Sequence, residues 1–180
     1  MAALVAVVVV GGIACGGDDD EESTGSTATS TTAAPTTTTT DPSAEVEAAY
    51  LGYWDAYLKA SMDPVDPHLS ELQDRMTGAQ RQATTRNLEN MQATGQAVRR
   101  PAGSQHMHGV IEVSVQGRRG LVHACSVDDL VTYEVATGRP IDDSVATKRY
   151  EASVVLERGT WKVEQVTETE RVEGVVPCPG

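Results

Sequence analysis

The sequence predicts an α+β domain: N-terminal helices packed on a curved antiparallel sheet of about four to five strands. Three observations predict it. From Ser43 to about Arg100 apolar residues recur at three- and four-residue spacing. After Pro101 the period changes to strict alternation. Turn signals then divide the alternating stretch at short intervals, as hairpin-connected strands require.

The first helix has Asp41 as a cap, Pro42 in its first turn and Glu45 and Glu47 early, all start signals. Val46, Ala49, Tyr50, Tyr53, Trp54, Tyr57 and Leu58 then form a broad, largely aromatic stripe on one face. Asp66-Pro67 opens a short second helix with Leu69, Leu72 and Met76 inward. Thr77 and Gln80 have capping-box spacing and open a third helix, whose weaker stripe runs through Leu88 and Met91. Gly95 and Pro101 close the helical half.

In the first strand, HMHGVIEVSVQ, alternation puts Met107, Ile111, Val113 and Val115 inward. His106, His108, Glu112 and Ser114 fall on the opposite, solvent face. Residues 116–120 make a turn and GLVHACSVDD is the partner strand, ending at Asp128-Asp129. LVTYEVATG, TKRYEASVVLERG and TWKVEQVTETERV complete a meander, with turns at Gly138-Arg139-Pro140 and Arg158-Gly159. There are no internal repeats.

The 180 residues carry a formal charge of −12, and with the acids at 18–22 and Asp41 set aside the remainder is still about −6. Such a surface repels phosphate backbones, so nucleic acid is not expected as a partner. With no Phe in the chain, aromatic packing falls to two Trp and five Tyr.

Residues 2–14 are uncharged and small or aliphatic, too short a run to span a bilayer but suited to an export signal. Gly11, Gly12 and Ala14 supply the small residues that a signal peptidase needs before Cys15. Here the chain resembles a bacterial lipoprotein precursor. Ile13, Ala14 and Cys15 match the last three lipobox positions, while Gly12 replaces the usual aliphatic residue and basic residues are absent before the apolar run. The resemblance implies a lipoprotein signal peptide over 1–14, lipidation of Cys15, and attachment to the extracytoplasmic face of the cell membrane through that lipid. Residues 15–42 then read as a disordered acidic, Thr/Ser-rich linker, glycosylated or bare, and 43–180 as the folded domain.

The element order, the aromatic first helix and the Gly159-x-Trp161-x-Val163 hairpin resemble the nuclear transport factor 2-like superfamily. More narrowly, the chain is similar to actinobacterial envelope lipoproteins and Mce-associated proteins that carry this fold behind an anchor. The resemblance implies a cone whose open end is a pocket between the first helix and the sheet, with Tyr53, Trp54, Tyr57 and Tyr133 as candidate lining. Some members are isomerases, dehydratases or cyclases, and many only bind or scaffold, so the fold does not choose a function.

With Cys15 lipidated, Cys125 and Cys178 remain as an even pair in an exported protein, and a disulfide is the natural reading. A buried free Cys125 with a frayed tail is the alternative. His106-x-His108 has a spacing that chelates zinc, but His123 on the partner strand falls opposite Glu112 or Val113, so no metal is assigned. An isomerase-like site needs a carboxylate base and a phenol donor. Asp128 or Glu134 and Tyr53 or Tyr57 are the candidates, yet helically spaced aromatics are ordinarily core, so no catalytic residue and no cofactor is assigned. The expectation is a non-enzymatic, membrane-anchored lipoprotein that serves a binding or accessory role at the cell envelope. Two alternatives stay open: a small apolar ligand bound, or an isomerase- or dehydratase-like reaction run, in the cone pocket; and an accessory subunit of a lipid-transport or secretion complex.

Overall fold

The computed structural model describes residues 41–179. The signal segment, lipidation at Cys15 and all but the last two linker residues lie outside them. Helix α1 (Pro42–Ser61) is followed by α2 (Ser70–Asp74) and α3 (Gly78–Ala93). Seven strands follow: β1 (Gln96–Arg99), β2 (Met107–Gln116), β3 (Arg119–Asp128), β4 (Val131–Glu134), β5 (Pro140–Asp142), β6 (Ala146–Glu157) and β7 (Thr160–Glu173). Among the described residues no helix is long and apolar enough to cross a membrane.

The α+β class is as the sequence predicts, and the main sheet has four antiparallel strands in the order β2-β3-β6-β7. The single meander needs correction. A second sheet, β1-β4-β5, takes β4 out of the meander and pairs it with β1, so that Ala97 faces Tyr133 and Val98 faces Thr132. Strand β1 has four residues and buries only Ala97 fully, too short a run for alternation to reveal.

Helix α1 starts as its sequence dictates: the Asp41 carboxylate accepts the Ser43 N–H at 3.0 Å and Pro42 occupies the first turn. Its inward face buries Val46, Tyr50, Tyr53, Ala56 and Ala60. At the α1 start the helix comes so close to β3 that a Cβ on Gly120 would lie 2.8 Å from a Val46 methyl. Trp161 Nε1 donates to Glu45 at 3.1 Å, tying the start of β7 to the same end of the helix. Leu72, Met76, Val122, Val154 and Val163 fill the space beneath, each worth about 1.5–3 kcal/mol in buried apolar surface. Backbone bonds Val163 N–H to Arg75 C=O and Thr77 N–H to Val163 C=O hold the α2–α3 connection to β7.

Two local expectations change. Thr77 caps α3 by position but makes no side-chain capping bond, and Gln80 turns inward instead of back to the cap. The second helix keeps only Ser70–Asp74, although Leu72 and Met76 are fully buried as predicted. Cys125, on the outer face of β3, is disulfide-bonded to Cys178. The tail between Gly174 and Cys178 lies beside β6, where Thr147 Oγ1 accepts the Val176 N–H at 2.8 Å.

Candidate functional site

The site begins with an irregularity in β2. Val110 pairs with Ala124, but the next pair is Glu112 with His123, leaving Ile111 unmatched in a β-bulge. One extra residue reverses the alternation. Beyond the bulge Val113 and Val115 pack on the core as expected, whereas before it His106, His108 and Val110 face inward. Met107 and Ile111, expected inside, are 45% and 37% exposed. The histidines expected in solvent therefore lie inside the domain. His123 does pair with Glu112, as predicted, and among the described residues no group of three or more His, Cys, Asp or Glu has metal-binding geometry.

The inward histidines help to line a cavity of about 500 Å³ between α1, α3 and the two sheets. Tyr53, Trp54 and Tyr57 line it from α1, and Tyr150 from β6. Tyr133 does not. Alternation along β4 turns Thr132 toward the cavity, with Leu130 just before the strand, and Tyr133 away, where its ring packs against the core under the Arg99 guanidinium, 4.7 Å from its centroid. Exposed Asp142, Ser144, Glu168 and Arg171 stand at the mouth. Of the carboxylates weighed from sequence, Asp128 lines the cavity, while Glu134 sits on the β4–β5 turn and accepts from Thr137 Oγ1 at 2.6 Å.

The polar groups of the wall are mostly bound to one another. Gln80 Nε2 donates to Tyr53 Oη at 2.8 Å and to Thr84 Oγ1 at 3.0 Å, and Gln80 Oε1 accepts the Val166 N–H at 2.9 Å. Asn87 Nδ2 donates to Tyr57 Oη at 3.0 Å. Lys148 Nζ donates to Asp128 Oδ2 at 2.5 Å, and the side chains keep 14% and 29% exposure respectively. His106 Nδ1 lies 3.9 Å from the other Asp128 oxygen, too far for a hydrogen bond.

Below this layer, His106 Nδ1, His108 Nδ1, Trp54 Nε1 and Ser126 Oγ are buried without a well-formed hydrogen bond to protein, although the Tyr50 and Tyr150 hydroxyls lie near Trp54 and Ser126 respectively. Each such group costs about 1–3 kcal/mol, and a cluster of them marks a place where packing has not been optimised for stability alone. His108 stacks on Trp54 with centroids 4.2 Å apart. Its burial there pushes the imidazole down to about 3, with the neighbouring His106 adding to the effect. Burial also lowers His106, against the pull of Asp128. Burial raises Tyr53 and Tyr150, and pushes Tyr57 up to about 12, so the phenols keep their protons. The wall therefore offers neutral imidazoles, neutral phenols and one internally compensated ion pair.

Sequence reasoning gave Gln80 only a capping role and did not single out Thr84 or Asn87, although the three share one face of α3 at helical spacing. It also missed Lys148 and Tyr150. Their signal was present, because both share the alternation phase of Ala152 and Val154 in β6.

No protein-family model matches the chain, and neither does any curated protein. Among solved structures it is similar to the intermembrane space region of the chloroplast protein ARC6, with a TM-score of 0.60 and 16% identity over 71% of this chain and 96% of that one. A protein from Novosphingobium aromaticivorans, provisionally described as an aromatic ring hydroxylase, aligns with a TM-score of 0.44 and 15% identity over 73% of this chain and 94% of that one. The first likeness is one of fold, and the second is too loose to argue from. Helices packed on an antiparallel sheet, with a cavity bordered by α1 and the sheet, agree in general arrangement with the fold that the sequence resemblance implies.

Proposed function

We propose that this domain binds a small molecule in its cavity, without chemistry, and does so outside the cytoplasm on a tether whose lipid is carried by Cys15. The observation behind the binding reading is the cavity itself, about 500 Å³ walled by Tyr53, Trp54, Tyr57 and Tyr150 with polar side chains interspersed. A proton-transfer enzyme would need Asp128 free to take a proton, and Lys148 holds that carboxylate instead. An accessory subunit would be favoured by a filled core under an apolar outer sheet face. Here the outer face mixes Arg149, Glu151 and Glu170 with exposed Met107 and Val172 and is partly covered by the disulfide-held tail, and the core is not filled, which supports ligand binding more than assembly.

The test is native mass spectrometry of the full chain extracted in detergent, as wild type and as Ala83→Trp, which sets an indole at the exposed α3 edge of the cavity. A bound small-molecule mass present in wild type and lost in the variant is the expected result. A wild-type protein that never carries or accepts a ligand refutes the binding reading. The tether is tested separately: Cys15→Ala should abolish alkyne fatty-acid labelling and membrane retention, and persistence of both would sink it.

A further inference from the structure

We propose that the ligand is an uncharged aromatic molecule of about two fused or linked rings, and that the cavity discriminates against anions and cations of the same shape. This rests on the reading of the cavity as a binding site. The size follows from the volume of about 500 Å³, which accommodates a bicyclic molecule with its edge polar groups. The aromatic character follows from the wall. Tyr53, Trp54 and Tyr57 form a continuous edge-to-face and stacked cluster at centroid distances of 5.1–6.3 Å, and Tyr150 faces Trp54 at 5.3 Å. A planar ligand entering between them extends a pattern of ring contacts that the protein already makes.

The absence of charge follows from where the charges are spent. The one ammonium in the inner wall, Lys148, is only 14% exposed and already bonded to Asp128. An anionic group reaching the inner wall would have to separate that pair and then sit beside the released Asp128, while at the mouth the exposed Arg171 is outnumbered by Asp142 and Glu168 and draws an anion little. A cationic group at the same depth would have to displace Lys148 from that carboxylate and leave a buried ammonium unpaired; Asp142 and Glu168 at the mouth are exposed and solvated and offset little of that cost. Either exchange strands a charge in a poorly solvated place, which costs several kcal/mol. The hydrogen-bonding side chains Gln80, Thr84 and Asn87 are likewise committed to one another and to the phenols. A neutral ring system disturbs none of these bonds, and a single amide or hydroxyl can still share them.

The experiment uses three probes of one shape: naphthalene-2-carboxamide, naphthalene-2-carboxylate and 2-naphthylmethylammonium. Each is titrated calorimetrically at pH 7 into the full chain, wild type and Ala83→Trp. The amide should bind wild type at least about tenfold more tightly than either ion, and Ala83→Trp should lose it. If the carboxylate or the ammonium binds as tightly as the amide, and Ala83→Trp abolishes that binding, the cavity is real and the inferred ligand class is wrong. If none of the three binds, the inferred ligand class is wrong whether or not native mass spectrometry finds another bound molecule; if binding survives Ala83→Trp unchanged, the probes bind elsewhere and this inference fails.

Discussion

The inward turn of His108 makes a quantitative prediction about pH. The folded protein holds this imidazole neutral down to about pH 3, while in the unfolded chain it titrates near its ordinary value of 6.5. Below pH 6.5 the unfolded state therefore takes up a proton that the folded state refuses. Stability must fall as pH falls, by about 1.4 kcal/mol per pH unit, until the slope dies away near the folded value. Between pH 6.5 and 4.5 the loss from this residue is about 2.5 kcal/mol, and His106, also held low by burial, adds in the same direction. Asp129 and Asp142, lowered from 3.8, act at still lower pH, and exposed Glu71, lowered from 4.5 by its bond from Lys59, enters only at the bottom of the window, so most of the window belongs to the histidines. The assay is urea unfolding followed by tryptophan fluorescence at pH 6.5, 5.5 and 4.5. With an m-value of about 2 kcal/mol/M the wild-type midpoint should fall by about 1 M or more across the window. His108→Phe keeps a ring against Trp54 and removes the titration, so its decline should be shallower by about 1 M over the same range. Parallel declines in the two proteins would refute the inward placement, because a solvent-facing His108 contributes no such slope.

Three further outcomes are expected. Cys178→Ala opens a loop spanning 53 residues of sequence and should cost about 4 kcal/mol in urea unfolding, and a loss under about 1 kcal/mol would show that the disulfide does not restrain the unfolded chain as the loop-entropy model requires. Gly120→Ala drives a methyl into Val46 and should destabilise by about 1–3 kcal/mol; in a double-mutant cycle Val46→Ala should recover most of that loss, and simple additivity would count against the close approach. Tyr53→Phe removes the hydroxyl that receives the Gln80 amide and should cost about 1–2 kcal/mol with little change in the fold by circular dichroism, whereas a neutral effect would mean that the network is not formed.

The helical half was largely legible because its signals are local. A cap, a first-turn proline and a stripe at helical period identify α1 within itself, and Pro42–Ser61 is where they place it. The hairpins were legible for the same reason, with positive φ at Gly117, Arg158 and Gly159 where the sequence has its turns. What escaped was decided by pairing between distant segments. No feature of QAVR announces that it will pair with β4, and Tyr133 was misread because the sheet that orients it was not foreseen. The histidines were misread because one phase was extended through the whole strand. The run Glu112-Val113-Ser114-Val115-Gln116 alternates without ambiguity, but Gly109, Val110 and Ile111 are three nonpolar residues in succession. Such a run is where a bulge can shift the phase unseen.

Once the phase of β2 is known, the position of the cavity follows from a gradient that runs along every element around it. The inward residues of β3 are Gly120, Val122, Ala124, Ser126 and Asp128, apolar at one end and polar at the other. Strand β6 runs the opposite way and matches it: Val154 and Ala152 lie beside Gly120 and Val122, while Tyr150 and Lys148 lie beside Ala124 and Ser126. Strand β2 agrees, with Val115 opposite Gly120 and His108 opposite Ser126. Helix α1 supplies the wedge. Its small Val46 meets Gly120, and its large Trp54 and Tyr57 stand over the polar end. Close contact at the apolar end and bulky side chains at the polar end keep helix and sheet apart only where the wall can be wet. The cavity is thus written into four elements at once, so a single enlarged side chain should block it without removing the reason it exists.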